Sequence, residues 1–231
     1  MNETRIDHCE ELIHFTKNSS EWDFEKSYQV FCKIIEDKEL KTSNYMRLGE
    51  IHTLCFTESP YSCLTSKKEL NKKYFNRYSP FGFQFKKKYI YKNGGLPVIY
   101  SPREDFEKDN EKINWRTVSY NPNGKGSDYR DFTWEREWRI KPELNKFILN
   151  PNEVKLIFPT KEWALKFRDD HDKLHQDPIC LCNCSRECEI IDYDRYFSKE
   201  EYETLSGTCP NPDKFPWILL NMNCEGIPTP K

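Results

Sequence analysis

Glycine is sparse in this chain, with 8 residues in 231, and methionine sparser still, with 3. The few glycines are wrongly spaced for a phosphate-cradling loop, which needs a longer glycine-framed turn closed by lysine and then serine or threonine. The "GKG" at Gly124–Gly126 does not meet that requirement. Long apolar runs are missing, and the opening "MNETRIDHCEELIHF" has no basic flank leading into one, so no membrane contact and a cytoplasmic location are expected. There is no internal repeat and no low-complexity tract. Ten cysteines would suit a secreted disulfide framework, but without a leader they read as reduced thiols.

Aromatic residues, by contrast, are plentiful: 15 Phe, 13 Tyr and 6 Trp. Together with a net charge of only −2, they argue for a folded chain whose core is largely aromatic. "LIHFT" reads as a strand, and Trp22, Tyr28, Phe31, Ile34, Ile35 and Leu40 recur at helical intervals after it. "IHTLCFTESP" reads as a second strand, stopped by Pro60, and "YSCLTSKKELNKKYFNRY" as a surface helix. "FGFQFKKKYIY" and "LPVIYSP" read as two strands of a hairpin, turned by the "KNGG" of Lys92–Gly95. Arg103 to Asp131 is polar enough to be a long loop, with room for a short helix. "FTWEREWRI" and "EVKLIFP" are strands by pattern, and "TKEWALKFRDDHDKLHQ" is a helix starting near Thr160.

The stretch "WEREWRI" bears most directly on function. As a strand it places Trp134, Arg136 and Trp138 on one face and Glu135, Glu137 and Arg139 on the other, so that two carboxylates project together. The plain alternative is a cross-strand ion ladder.

A histidine in an early strand (His14), an aromatic and hydroxyl strand end ("CFTESP") and a late glutamate strand follow one another in an order that resembles the ADP-ribosyltransferase superfamily. That superfamily includes the DarT-like toxins and the poly-ADP-ribose polymerases. "IHTLCFTESP", "YSPFGFQFKK", "GGLPVIY" and "FTWEREWRI" are, in that order, similar to the AbiGi family of phage abortive-infection proteins. The resemblance implies an α+β fold of split, mostly antiparallel sheets with flanking helices around an NAD cleft. It makes Glu137 the catalytic carboxylate and Glu135 the acceptor-directing one. His14 and Thr16 would lie on the cofactor's ribose side, with Phe56, Thr57 and Tyr74 (or Tyr61) around the nicotinamide. Arg139 would hold the pyrophosphate or neutralise the carboxylates.

The function this implies is transfer of ADP-ribose from NAD to a macromolecule in a bacterial toxin–antitoxin setting. The alternative is a non-catalytic antitoxin or immunity protein that binds a partner toxin; a metal-dependent nuclease built on Glu135 and Glu137 ranks below both. Lysines and Arg77 crowd Lys67–Lys92 against a single acid, Glu69, interleaved with tyrosines: this reads equally as a solvated helix face followed by a lysine-guarded edge strand or as a nucleic-acid surface, and under the enzyme reading it turns the expected acceptor toward RNA or single-stranded DNA. Residues 1–168 are expected to carry the transferase-like domain and 169–231 a cysteine-rich extension packed on it. Cys180, Cys182, Cys184, Cys188, Cys209 and Cys224, with His171 and His175 nearby, lack the paired Cys-x-x-Cys spacing of zinc knuckles. Buried thiols are therefore expected there in preference to zinc.

Overall fold

The computed structural model describes residues 9–17, 23–44, 51–59, 78–105, 111–174, 191–192, 218–222 and 227–230. In chain order the strands are β1 Glu11–Lys17, β2 Glu39–Lys41, β3 Leu54–Thr57, β4 Tyr78–Lys86, β5 Leu96–Pro97, β6 Ile99–Ser101, β7 Thr117–Ser119, β8 Glu137–Ile140, β9 Lys146–Ile148, β10 Val154–Phe158, β11 Ile191–Asp192 and β12 Ile218–Asn221. The helices are α1 Phe24–Asp37, α2 Lys87–Lys92, α3 Glu111–Asn114 and α4 Lys161–Leu174. The class is α+β, as expected, and among the described residues no helix is long and apolar enough to cross a membrane.

The chain clusters into two compact units that interleave in sequence. Unit 1 comprises Met1–His14, Ile34–Leu64 and Gln84–Leu149, and unit 2 comprises Phe15–Lys33, Thr65–Phe83 and Asn150–Lys231. Residues 150–168 thus fall in the same unit as 169–231.

In unit 1, β3 lies between β1 and β8, and β8 between β3 and β5; the β1–β3, β3–β8 and β5–β8 pairs are all antiparallel. Two small ribbons complete it, β2–β9 antiparallel and β6–β7 parallel. Its aromatic core centres on Phe85, with Phe56 and Phe147 edge-on at 5.7 and 5.8 Å and Tyr89 stacked on it.

In unit 2 the strand order is β4, β10, β12, β11, and β12 runs parallel to both β10 and β11. A strand from the expected C-terminal extension is therefore hydrogen-bonded into this sheet. Phe31 of α1 is fully enclosed and touches Phe81 and Phe83 of β4, Phe158 of β10 and Phe167 of α4. Trp163 of α4 packs edge-on against Phe81 and donates its indole N–H to the Pro228 carbonyl. Truncating a ring at such a site costs about 3–5 kcal/mol, since transfer energy and the residual cavity add.

Besides β2, which takes Leu40 out of the expected helix, and β7, which forms within the expected loop, three sequence expectations change. The strand expected to run through "KKYIY" ends at Lys86, and Lys87–Lys92 is a helix. The turn from strand into helix brings the Tyr89 ring parallel to Phe85 of β4 at 6.3 Å, and the helix buries Ile90. Gly95 closes this helix by donating to the Ile90 carbonyl, and a Cβ there would stand 2.3 Å from the Ile90 side chain. The hairpin of "FGFQFKKKYIY" with "LPVIYSP" is not formed: β5 pairs with β8 and β6 with β7. The third change concerns "FTWEREWRI", where the strand begins only at Glu137 and Thr133–Glu135 forms a 3-10 turn. The surface helix expected over residues 61–78 lies almost entirely outside the described residues.

Candidate functional site

The turn into β8 is held by the three residues that end β3 and follow it. The Thr57 hydroxyl donates to the Glu135 carbonyl and the Ser59 hydroxyl to the Trp134 carbonyl, while the Glu58 backbone N–H donates to the Arg136 carbonyl at 3.1 Å. Three successive residues thus satisfy three successive carbonyls that a regular strand would have turned toward its neighbours. Arg136 sits at the bend with φ 45°, a left-handed conformation that costs a side-chain-bearing residue about 1–2 kcal/mol. Glu135 and Glu137 are therefore not alternate residues of one strand.

They are nonetheless brought into one neighbourhood. Burial first, then the nearby Glu137 carboxylate, raise the Tyr100 hydroxyl above its ordinary range, and Glu135 adds in the same direction. Tyr100 donates its proton to the Phe132 carbonyl at 2.9 Å. Glu135 is buried, and the Glu137 side chain is only 10% exposed.

Arg139 supplies the counter-charge. Its Nε donates to one Glu137 oxygen at 2.8 Å and a terminal nitrogen to the other at 3.3 Å. A second terminal nitrogen reaches the Thr117 carbonyl at 3.2 Å and the Trp115 carbonyl at 3.4 Å. Burial works against this charge, but Glu137 beside it prevails and, with Cys55, holds the guanidinium above its ordinary pKa. Within this structure Arg139 neutralises Glu137; its nitrogens are taken up by the carboxylate and the two carbonyls.

His14 faces elsewhere. Ile13 pairs with Thr57 and Thr57 with Glu137, so these three share a face, and the next row of residues, His14, Phe56 and Trp138, projects to the opposite one. The His14 ring lies edge-on to Phe56 at 5.8 Å, as that row requires. Its Nδ1 lies 2.7 Å from the Cys55 carbonyl and, because a carbonyl only accepts, must carry the proton. Burial lowers the imidazole's pKa and outweighs that hydrogen bond.

Phe56 is buried in the unit 1 core on the His14 face. Thr57 does share the Glu137 face, with its hydroxyl committed to Glu135. Thr16 belongs to unit 2, where its buried hydroxyl donates to the Phe81 carbonyl. Tyr61 and Tyr74 lie outside the described residues, as do His175 and the cysteine cluster from Cys180 to Cys224. Among the described residues no group of histidine, cysteine and acidic side chains could hold a metal ion.

On the His14 face lies a cluster that the sequence reading missed. Glu58 accepts from Lys87 Nζ at 2.6 Å and Arg136 at 3.1 Å on one oxygen, and from the Trp138 indole at 2.6 Å on the other. Lys87 also stands 5.8 Å from the centre of the Trp138 ring. "CFTESP", "FQFKKK" and "WEREWRI" meet at this carboxylate, and β5 from "GGLPVIY" pairs with Trp138. The signal available in the sequence was an acid placed directly after a strand, between two hydroxyl residues and before a proline.

No protein-family model, no curated protein and no solved structure matches this chain.

Proposed function

We propose that the chain transfers ADP-ribose from NAD to a macromolecular acceptor, RNA or single-stranded DNA, as one member of a bacterial abortive-infection pair. The observation that carries this reading is Glu137, a carboxylate gripped at both oxygens by a buried guanidinium. Cleavage of the nicotinamide C–N bond leaves positive charge on the ribose, and a carboxylate fixed in advance stabilises that charge without having to reorganise. The acceptor's oxygen or nitrogen then bonds to the same ribose carbon, nicotinamide leaves with the electron pair of the broken bond, and the acceptor's proton passes to Glu135 or water.

His14 has a different part in this reading from the ribose contact first expected. It braces β3 from the opposite face, and the ribose is met by groups on the Glu137 side. That placement favours the second reading, a non-catalytic antitoxin or immunity protein that keeps the scaffold and binds a partner toxin.

Purified protein incubated with labelled NAD and separate RNA, single-stranded DNA and protein fractions distinguishes the two. Label on a nucleic-acid fraction, together with nicotinamide release, is expected, and both should disappear in Glu137→Gln. Thermal melting of the variant is measured alongside, because the substitution leaves Arg139 without its counter-charge. Absence of label and of nicotinamide release from the folded wild-type protein would overturn the enzyme reading in favour of the partner-binding one.

A further inference from the structure

Unit 1 also holds a cavity of about 420 Å³ at the ends of the parallel strands β6 and β7, outside the set of residues that surrounds Glu137. Its wall includes Arg103, Glu104, Tyr120, Asn121, Asp128 and Arg130. Two cations and two anions thus line one open space, Arg103, Glu104 and Asp128 exposed and Arg130 half-buried, and none of the four takes an ion pair with another group among the described residues. The volume lies within the range of small-ligand sites, about 300–1,000 Å³.

The wall is built in place rather than draped. Asn121 and Arg130 exchange both backbone hydrogen bonds, at 2.8 and 2.9 Å, and so close the loop between them. Inside it, a Cβ on Gly124 would stand 2.3 Å from the Asp128 carbonyl oxygen, so the chain packs against itself as only glycine allows. This loop brings Asp128 and Arg130 to the same wall as Arg103, which follows β6 after Pro102.

We propose that this cavity binds a nucleoside monophosphate, either free or as the terminal residue of a polynucleotide. Arg103 and Arg130 take the phosphate, since a guanidinium fork matches its oxygens. Asp128 accepts from the ribose hydroxyls, the usual partner of a vicinal diol being a carboxylate. Tyr120, half-buried in the wall, offers a ring face to the base. A ligand with phosphate at one end and a diol in the middle satisfies both signs of charge in the wall, whereas phosphate alone leaves the carboxylates opposed to it. The inference is independent of NAD chemistry at Glu137.

Calorimetric titration with the four ribonucleoside 5′-monophosphates, adenosine, inorganic phosphate, deoxyadenosine monophosphate and a short oligoribonucleotide tests it. At least one monophosphate is expected to bind at least tenfold more tightly than adenosine or inorganic phosphate. Arg103→Ala and Arg130→Ala should each weaken that binding tenfold or more, and Asp128→Asn should erase the preference for ribose over deoxyribose. Glu137→Gln should leave the binding unchanged, so this result and the NAD result can fail separately. Tighter binding of the oligonucleotide would identify a polynucleotide end as the source, and equal or weaker binding a free nucleotide. Failure of every probe to bind at millimolar concentration, or binding unaltered in both arginine variants while they melt like the parent, would overturn the proposal.

Discussion

Lys87, in the first turn of α2, reaches Glu58, just past the end of β3, at 2.6 Å. Both side chains are largely buried, and the carboxylate is shared with Arg136 and Trp138. Removing its charge leaves the donors facing an amide that cannot accept from all of them. Glu58→Gln is expected to cost about 3 kcal/mol, the scale for breaking an enclosed ion pair. Chemical denaturation checks this, and adding Lys87→Met should recover part of the loss.

The Glu137–Arg139 pair makes a parallel case with a different remedy. Arg139→Ala strands a buried carboxylate and two carbonyls, and is expected to cost about 3–5 kcal/mol. The double substitution Glu137→Met with Arg139→Met should be less destabilised than Arg139→Ala alone, because no charge is then left unpaired. Urea unfolding of the parent, Arg139→Ala and the double variant measures the difference.

At Arg136 the backbone and the side chain can be separated. Both Arg136→Ala and Arg136→Gly lose the bond to Glu58, but only glycine relieves the left-handed backbone at φ 45°. Arg136→Gly is expected to be about 1 kcal/mol more stable than Arg136→Ala, although glycine elsewhere usually destabilises. Melting curves of the two variants decide it.

His14 sets a pH dependence. Its folded-state pKa lies below the ordinary 6.5, so on acidification the unfolded chain takes up the proton first. The stabilising contribution of the neutral ring is therefore full above about pH 6.5 and is lost progressively below it. His14→Gln, which can still donate to Cys55, should show a shallower fall in stability between pH 7 and 5, as read by denaturant midpoints. An unchanged slope would remove His14 from the account.

What was legible in the sequence follows from where the determining forces act. β1, α1, β10 and α4 were readable because one chain segment carries the whole periodic pattern. "KKYIYK" was not, since six residues alternate equally well as strand or as short helix, and the choice lies in the ring of Phe85 and the close approach of Gly95 to Ile90. β7 was hidden in a polar loop because "TVS" is a strand only by virtue of β6 beside it. Of the candidate site, the ion pair of Glu137 with Arg139, one of the two roles the sequence offered for that arginine, was readable, since both sit in one strand. The bend at Arg136 was not, because what imposes it is the grip of Thr57, Glu58 and Ser59, nearly eighty residues away.

The interleaving of the two units has a bearing on synthesis at the ribosome. Unit 1 takes its last stretch from residues up to Leu149 and unit 2 from Asn150 onward, so neither has all its parts until that much chain has emerged. At roughly 5–20 residues per second, the early strand β3 waits several seconds for its second neighbour β8. During that interval "LIHFT" and "LCFT" are apolar strands with open edges, the exposure that nascent-chain chaperones bind. Slow codons placed before residue 150 should therefore lower the yield of folded protein more than the same codons placed after it.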